Sequence, residues 1–150
     1  MSPLHRNAAT IQARLRDVGL DIEPRELDSS ARTAAEAAAS LGTTVGQIVK
    51  SLVFFRGAQP VIVLCAGDRR VDAERLGLRV ANAKEAKEAT GFAIGGIPPL
   101  GHEQPLPTII DESLERFDIV WCAAGTTHAV FPVATSALIA ALPAAKIETM

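Results

Sequence analysis

Ser51-Leu-Val-Phe-Phe-Arg56, the connection Gly57-Ala58-Gln59, and Pro60-Val-Ile-Val-Leu-Cys-Ala66 together decide the fold. β-Branched and aromatic side chains fit a pleated, packed surface, and two such runs around a short glycine-bearing connection read as a β-hairpin. These two strands are expected at the centre of the sheet. The same logic gives a second hairpin: a strand over residues 118–124 (DIVWCAA), a turn at Gly125-Thr-Thr-His128, and a strand over residues 129–133 (AVFPV). A further strand falls at Thr108 to Asp111. Helical patterns are inserted between these groups rather than alternating with each strand, which disfavours a doubly wound parallel fold. The expected class is therefore α+β: one domain over residues 1–150, with a mixed, largely antiparallel sheet and flanking helices.

The helices are legible from spacing and caps. Leu4, Ile11, Leu15 and Val18 form a stripe at helical intervals, ended by Gly19. Residues 22–27 carry Pro24 and suit an edge strand. Thr33-Ala-Ala-Glu36 is a capping box opening an alanine-rich helix that closes at Leu41-Gly42. Thr44-Val-Gly-Gln47 repeats the pattern and starts a short helix running to about Lys50, so Lys50 is expected at a helix end. Residues 72–78 and 82–89 carry two short surface helices with Asp72 and Asn82 as N-caps. Thr135 or Ser136 opens a last helix, and the residues after Pro143 carry no pattern that assigns them. Gly91 to His102 (GFAIGGIPPLGH) holds five glycines and prolines between Gly95 and Gly101, which neither helix nor strand tolerates. It is expected to be an ordered loop, and its length marks it as a functional candidate.

Composition limits the function classes. The chain has 150 residues, 48% of them apolar and 21% charged, with mean hydropathy +0.21, enough to build a core. Its longest apolar runs are strand-length and too short to span a bilayer. The N-terminus meets charge at once and offers no apolar signal core, so a cytoplasmic location is expected. A net charge of -2 gives no global signal for wrapping nucleic acid. Any such contact must be local, and the one basic stretch runs from Arg69 to Lys87, with Arg69, Arg70, Arg75 and Arg79 in it. Its bland reading is a solvated face. Cys65 and Cys122 lie in apolar strands and read as buried thiols. The three histidines are scattered and there is no CxxC or HExxH, so no metal site and no cofactor is expected.

Few residues remain to carry chemistry. No nucleophile elbow G-x-S-x-G is present, and the glycine-rich loop is not followed by the G-K-[ST] of a P-loop. Lys50 sits between apolar segments, so its ammonium must emerge somewhere polar. It is either a snorkelling lysine at a helix C-terminus or a fixed charge for a phosphate or a developing oxyanion. In Gly95-Gly96-Ile97-Pro98-Pro99, the glycines permit close approach and the prolines fix φ while removing donors. That suits a preset array of backbone donors, and equally a rigid connector. His102 and His128 are candidate acids or bases, or surface and capping residues. Asp111, at a strand end, is equally ambiguous.

Taken together, TAAEAAASLGTTVGQIVKSLVF (33–54), GDRRVD (67–72), TGFAIGGIPPLGH (90–102), the acidic strand end and AAGTTHAVF (123–131) resemble the YbaK-like aminoacyl-tRNA deacylases. That family includes the editing insertion domain of bacterial prolyl-tRNA synthetases and free-standing relatives, and the resemblance spans roughly residues 5–142. It implies a partly barrel-like sheet and a small pocket that hydrolyses the ester of a mischarged tRNA without a metal. Lys50 matches the family's functional lysine, associated with the tRNA 3' acceptor end and ester cleavage. Gly95, Gly96, Ile97, Pro98 and Pro99 match its carbonyl-placing loop. Ser51, Leu52 and His128 are candidates for the pocket wall, and Arg69, Arg70 and Arg79 for tRNA contact. The implied substrate is tRNA(Pro) carrying alanine or another small residue. The alternatives are Cys-tRNA(Pro), or a non-catalytic binding module that partners a synthetase; a prolyl-tRNA synthetase is the protein partner the resemblance admits.

Overall fold

The computed structural model describes residues 5–28 and 32–150; Leu4, the first position of the helical stripe, lies outside them. The chain runs α1 (Arg6–Asp17), β1 (Arg25–Glu26), α2 (Ala34–Leu41), β2 (Val49–Arg56), β3 (Gln59–Ala66), α3 (Ala73–Leu76), β4 (Arg79–Val80), α4 (Ala83–Thr90), β5 (Thr108–Asp111), β6 (Ile119–Ala123), β7 (Ala129–Ala134), α5 (Thr135–Ala140) and β8 (Lys146–Glu148). Single 3-10 turns, Val45–Gln47 and Glu112–Arg116, precede β2 and β6.

Two sheets result. The larger has the order β4-β2-β3-β5-β8 and the smaller β1-β7-β6. The β2–β3 and β6–β7 hairpins are antiparallel, while β5 joins β3, and β8 joins β5, in parallel. The mixed α+β sheet expected from the sequence is thus observed. Between the sheets the strand pairing narrows to one parallel bridge, Ile48 to Trp121, and no closed barrel forms.

The central hairpin turns on Gly57-Ala58, with Gly57 at φ +64°, a conformation that favours glycine at a two-residue turn. Arg56 pairs with Gln59, so Gln59 belongs to the strand rather than the connection. Both faces of the hairpin are covered. Ile62 and Leu64 pack with Ile11, Leu15 and Phe131 on one side, and Phe54, Val61, Val63 and Cys65 cluster on the other.

Four sequence expectations need correction. Lys50 does not end a helix: the 3-10 turn stops at Gln47, Ile48 is already extended, and Lys50 is the second residue of β2. The physical reason lies at Ile48, whose carbonyl accepts the Gly67 N–H at 2.8 Å and whose strand bridge to Trp121 demands an extended chain. The edge strand of residues 22–27 shrinks to Arg25–Glu26, paired with Val130 and Ala129. The 72–78 helix is a single turn closed by Gly77, after which Arg79–Val80 forms a strand against Phe54 and Phe55. The residues after Pro143 supply β8 on the sheet edge. Strands of two or three residues are created by their partners and leave no periodicity of their own.

Asp111 ties the end of β5 to the end of β3. Its side chain is 1% exposed; Oδ2 accepts the Ala66 N–H at 2.9 Å and Oδ1 the Ser113 N–H at 2.8 Å. Asp111→Ala leaves two main-chain donors without their acceptor, at about 1–3 kcal/mol each. Urea unfolding is expected to show a clearly lowered midpoint, and a midpoint equal to wild type would contradict this account of the junction.

Candidate functional site

A cleft of about 370 Å³ opens where β2 and β6 diverge beyond the Ile48–Trp121 bridge. Residues 48–54 line it continuously; Ala34 and Ala37 of α2, Trp121 to Ala123 of β6, Ala81, Ala86 and Val130 add apolar wall, and Ile94, Gly95 and Ile97 close it from the long loop. A larger recess of about 460 Å³ lies elsewhere, beside Arg14, Pro99 and His102, and lacks Lys50.

Strand alternation divides the β2 side chains. Val49, Val53 and Phe55 pack with the main core, so Ser51 shares their face; Lys50, Leu52 and Phe54 take the other face, toward Cys65. The Ser51 hydroxyl oxygen is buried and has no hydrogen-bond partner. Lys50 Nζ donates to the Arg69 carbonyl at 2.6 Å. That carbonyl belongs to the turn after β3, which is fixed by the Gly67 N–H to Ile48 O, the Arg69 N–H to Ala66 O, and a bidentate Arg116–Asp68 pair at 2.7 and 3.0 Å. The Arg116 hydrogen bond holds the Asp68 carboxyl below its ordinary range. The Lys50 ammonium therefore stands in a built turn, beside the exposed Arg69 and Arg70.

The glycine-proline loop is held from several sides. Gly95 has φ +90°, and a Cβ there would lie 2.8 Å from Arg32 Cγ. Gly96 is not in the left-handed region. It is needed because a Cβ would come within 2.8 Å of the Thr126 backbone in the β6–β7 turn. Ile97 is buried against the main core, while Pro98 and Pro99 are buried but lie outside the cleft lining. The Pro98 carbonyl faces His102 Nε2 at 2.8 Å, and Arg14 donates to Gly101 O at 2.9 Å. A carbonyl only accepts, so His102 Nε2 carries the proton.

The remaining candidates sit apart. His128 is exposed, is not part of the cleft lining, and contacts Thr127 Oγ1 through Nδ1 at 3.1 Å. Arg79 is bound to Glu85 through two contacts of 3.2 Å and stacks over Phe55 at 4.7 Å. Burial pushes the Cys65 thiol up to about 11 and raises Cys122 further, so neither is a ready thiolate. Among the described residues no three His, Cys, Asp or Glu gather as a metal-binding group, and no helix is long and apolar enough to cross a membrane. Sequence reasoning missed Trp121, Ile94 and the alanines of α2 as cleft walls. Trp121 read as part of a strand, Ile94 as part of the long loop and the alanines as helix formers, and only the packing of these elements around β2 brings them to the cleft.

The model of the aminoacyl-tRNA editing domain matches residues 28–141. Protein YwhH of Bacillus subtilis is 32% identical over 110 residues, covering 69% of this chain and 70% of its own. The proline–tRNA ligase of Lactobacillus acidophilus is 30% identical over 120 residues, which cover 73% of this chain and 21% of the ligase. EbsC of Enterococcus faecalis, described as a candidate Cys-tRNA(Pro)/Cys-tRNA(Cys) deacylase, is 25% identical over 115 residues, covering 71% of this chain and 70% of EbsC. A crystal structure described as a candidate trans-editing enzyme for prolyl-tRNA synthetase superimposes with TM-score 0.90 at 42% identity, covering 98% of both chains.

Burial lowers the His102 pKa, with the Arg14 charge acting in the same direction against the Pro98 hydrogen bond. An imidazole that stays neutral when folded binds fewer protons than the unfolded chain below about pH 6.5, so stability falls as pH drops through that value toward the lower folded pKa. His102→Gln is expected to flatten this part of the stability-versus-pH curve. Parallel curves for variant and wild type from pH 7.5 to 5 would overturn the assignment.

Proposed function

Because the chain belongs to the aminoacyl-tRNA editing domain family, whose members are hydrolases of mischarged tRNA, we propose that it is a metal-independent trans-editing deacylase of tRNA(Pro) carrying alanine or another small amino acid. One observation carries the reading: Lys50 and Ser51 are neighbours on the strand that lines the cleft, yet they lie on opposite faces of it. A nucleic-acid end reaching this strand presents phosphates to the Lys50, Arg69 and Arg70 side and its aminoacyl group to the apolar Ser51 side. The ester then lies at the strand edge. Arg79, its charge already shared with Glu85, is a peripheral contact, and His128 stands at the turn beside the loop.

The chemistry follows from what the cleft lacks and supplies. The cysteine thiols are protonated at neutral pH, and none of the three histidines lines the cavity. The proton of the attacking water therefore passes to the substrate itself, through the neighbouring ribose hydroxyl. Water adds to the ester carbonyl, the C–O bond to the ribose breaks, and the free amino acid and the intact tRNA 3' end leave. Loop backbone donors near Gly95 and Ile97 stabilise the oxyanion, and Lys50 holds the adjacent phosphate. The apolar walls admit small side chains and separate them by about 1–3 kcal/mol per methylene. Similarity to EbsC keeps the cysteine ester as the second substrate, and similarity to proline–tRNA ligases supports prolyl-tRNA synthetase as the partner enzyme.

The test is ester loss from tRNA(Pro) charged with alanine, cysteine, serine or proline. Alanine is expected to be released fastest and proline spared, and a panel left wholly intact would sink the reading. Lys50→Ala is expected to lower kcat/KM on the order of 10²-fold while the protein stays folded. Dialysis against EDTA is expected to leave turnover unchanged; activity lost and then restored by zinc would rule out the metal-free scheme.

A further inference from the structure

The outer edge of β2 is an unfinished strand pairing. β3 pairs with every residue from Val49 to Arg56, and the hairpin closes at the hydrogen-bonded pair Arg56–Gln59. Antiparallel pairs alternate between those that exchange hydrogen bonds and those whose N–H and C=O point outward. Counting back from the turn, Phe54, Leu52 and Lys50 bond to β3, whereas Phe55, Val53, Ser51 and Val49 present their main-chain groups outward. Independent contacts confirm this phase. Val53 O accepts the Ala81 N–H at 3.1 Å, and on the opposite strand the Ile62 N–H leaves the hairpin for Pro107 O at 2.9 Å. Pro60, which has no N–H, falls at an outward position opposite Phe55.

That outer edge is covered at its two ends only. β4 pairs at Phe54 and Phe55, and the Trp121 bridge lies at Ile48; among the described residues no strand pairs with the edge between them. Ser51 occupies the middle of the gap. Its N–H and C=O point outward from the hairpin toward the cleft that the residue lines, while its side chain turns to the core face. A strand edge leaves such main-chain groups unpaired at a cost, so a donor and an acceptor of one residue opening on the same cleft mark a place for a polar ligand.

We propose that the substrate's aminoacyl group is bound as one added residue of the sheet: its α-ammonium donates to the Ser51 carbonyl and its ester carbonyl accepts from the Ser51 N–H. This rests on the deacylase reading and deepens it. An α-amino acyl group carries a donor and an acceptor at the spacing of one peptide residue, which is what an open strand edge selects. Recognition of the amino acid is then divided. The main chain of β2 reads the α-amino acyl unit common to all amino acids, and the apolar walls at Val49, Val53, Ala86 and Cys122 sort the side chain by size.

The test uses acyl analogues on the intact protein. tRNA(Pro) is acylated with alanine and with propionate, which has the same carbons and no α-nitrogen, and each enzymatic rate is divided by the rate of ester loss in buffer. The propionyl ester is expected to lose about 10- to 100-fold in normalised kcat/KM, the scale of hydrogen bonds to a charged group. Equal normalised rates for the two esters overturn the strand-edge proposal alone; no hydrolysis of any aminoacyl ester overturns the deacylase reading together with it. Two variants give an independent readout. Ser51→Ala keeps the main-chain pair and is expected to lose a few-fold at most. Ser51→Pro keeps every β2–β3 bond, because the lost N–H points outward, yet is expected to lose at least ten-fold more than Ser51→Ala. A folded Ser51→Pro variant as active as Ser51→Ala would refute the role of the N–H.

Discussion

The structure depends on the unequal pairing of β2. One edge is bonded along its whole length to β3, and among the described residues the other is held only at Ile48 and from Val53 to Phe55. Full pairing on the inner side makes the strand rigid, so the outer side can stay open without fraying. The cleft is the space left between those two attachments, and its floor is main chain rather than side chain. A floor of this kind is fixed to within the precision of a sheet, which is the sort of support a site needs to hold a reacting ester in one orientation.

Around that strand, charge is sorted by face. The turn after β3 gathers the Lys50 ammonium, the exposed Arg69 and Arg70, and the Arg116–Asp68 pair, while the face bearing Ser51 is apolar. Asp111 anchors the start of that turn through the Ala66 N–H, so the position of Lys50 is inherited from a buried carboxylate two strands away. The hydrogen bond from Lys50 to Arg69 O defines where the ammonium waits. It uses one of the three donors that an ammonium carries.

Much of this was legible in the sequence, for identifiable reasons. The two hairpins showed because Ser51–Ala66 and Asp118–Val133 are long and rich in strand formers. Thr33 and Asn82 showed as N-caps because their side chains do accept the Glu36 and Glu85 N–H groups. The loop from Gly91 to His102 showed because its prolines and glycines forbid anything else. β4 and β8 did not show, since Arg79–Val80 and Lys146–Glu148 are strands only through Phe54–Phe55 and Ile109–Asp111. Lys50, Gly95 and Ile97 do line the cleft, but the secondary structure assigned to Lys50 was wrong. Local capping chemistry at Thr44 and Gln47 points to a helix, and the tertiary bonds at Ile48 end it first. The role of Gly96 was invisible for the same reason, because nothing near it in sequence announces the Thr126 backbone.

That last contact has a wider consequence. At Gly96 the long loop rests on the β6–β7 turn with no side chain between the two chains. Side-chain substitution at position 96 therefore has no purchase on the distance between the two segments. What the cleft admits is set instead by Ile94 and Ile97 of the same loop, by the alanines of α2 and by the lining residues of β2 and β6, where adding or removing a methyl group changes the space without moving the backbone. The fold thus separates a main-chain contact that holds the loop in place from the side chains that set the size of the cavity.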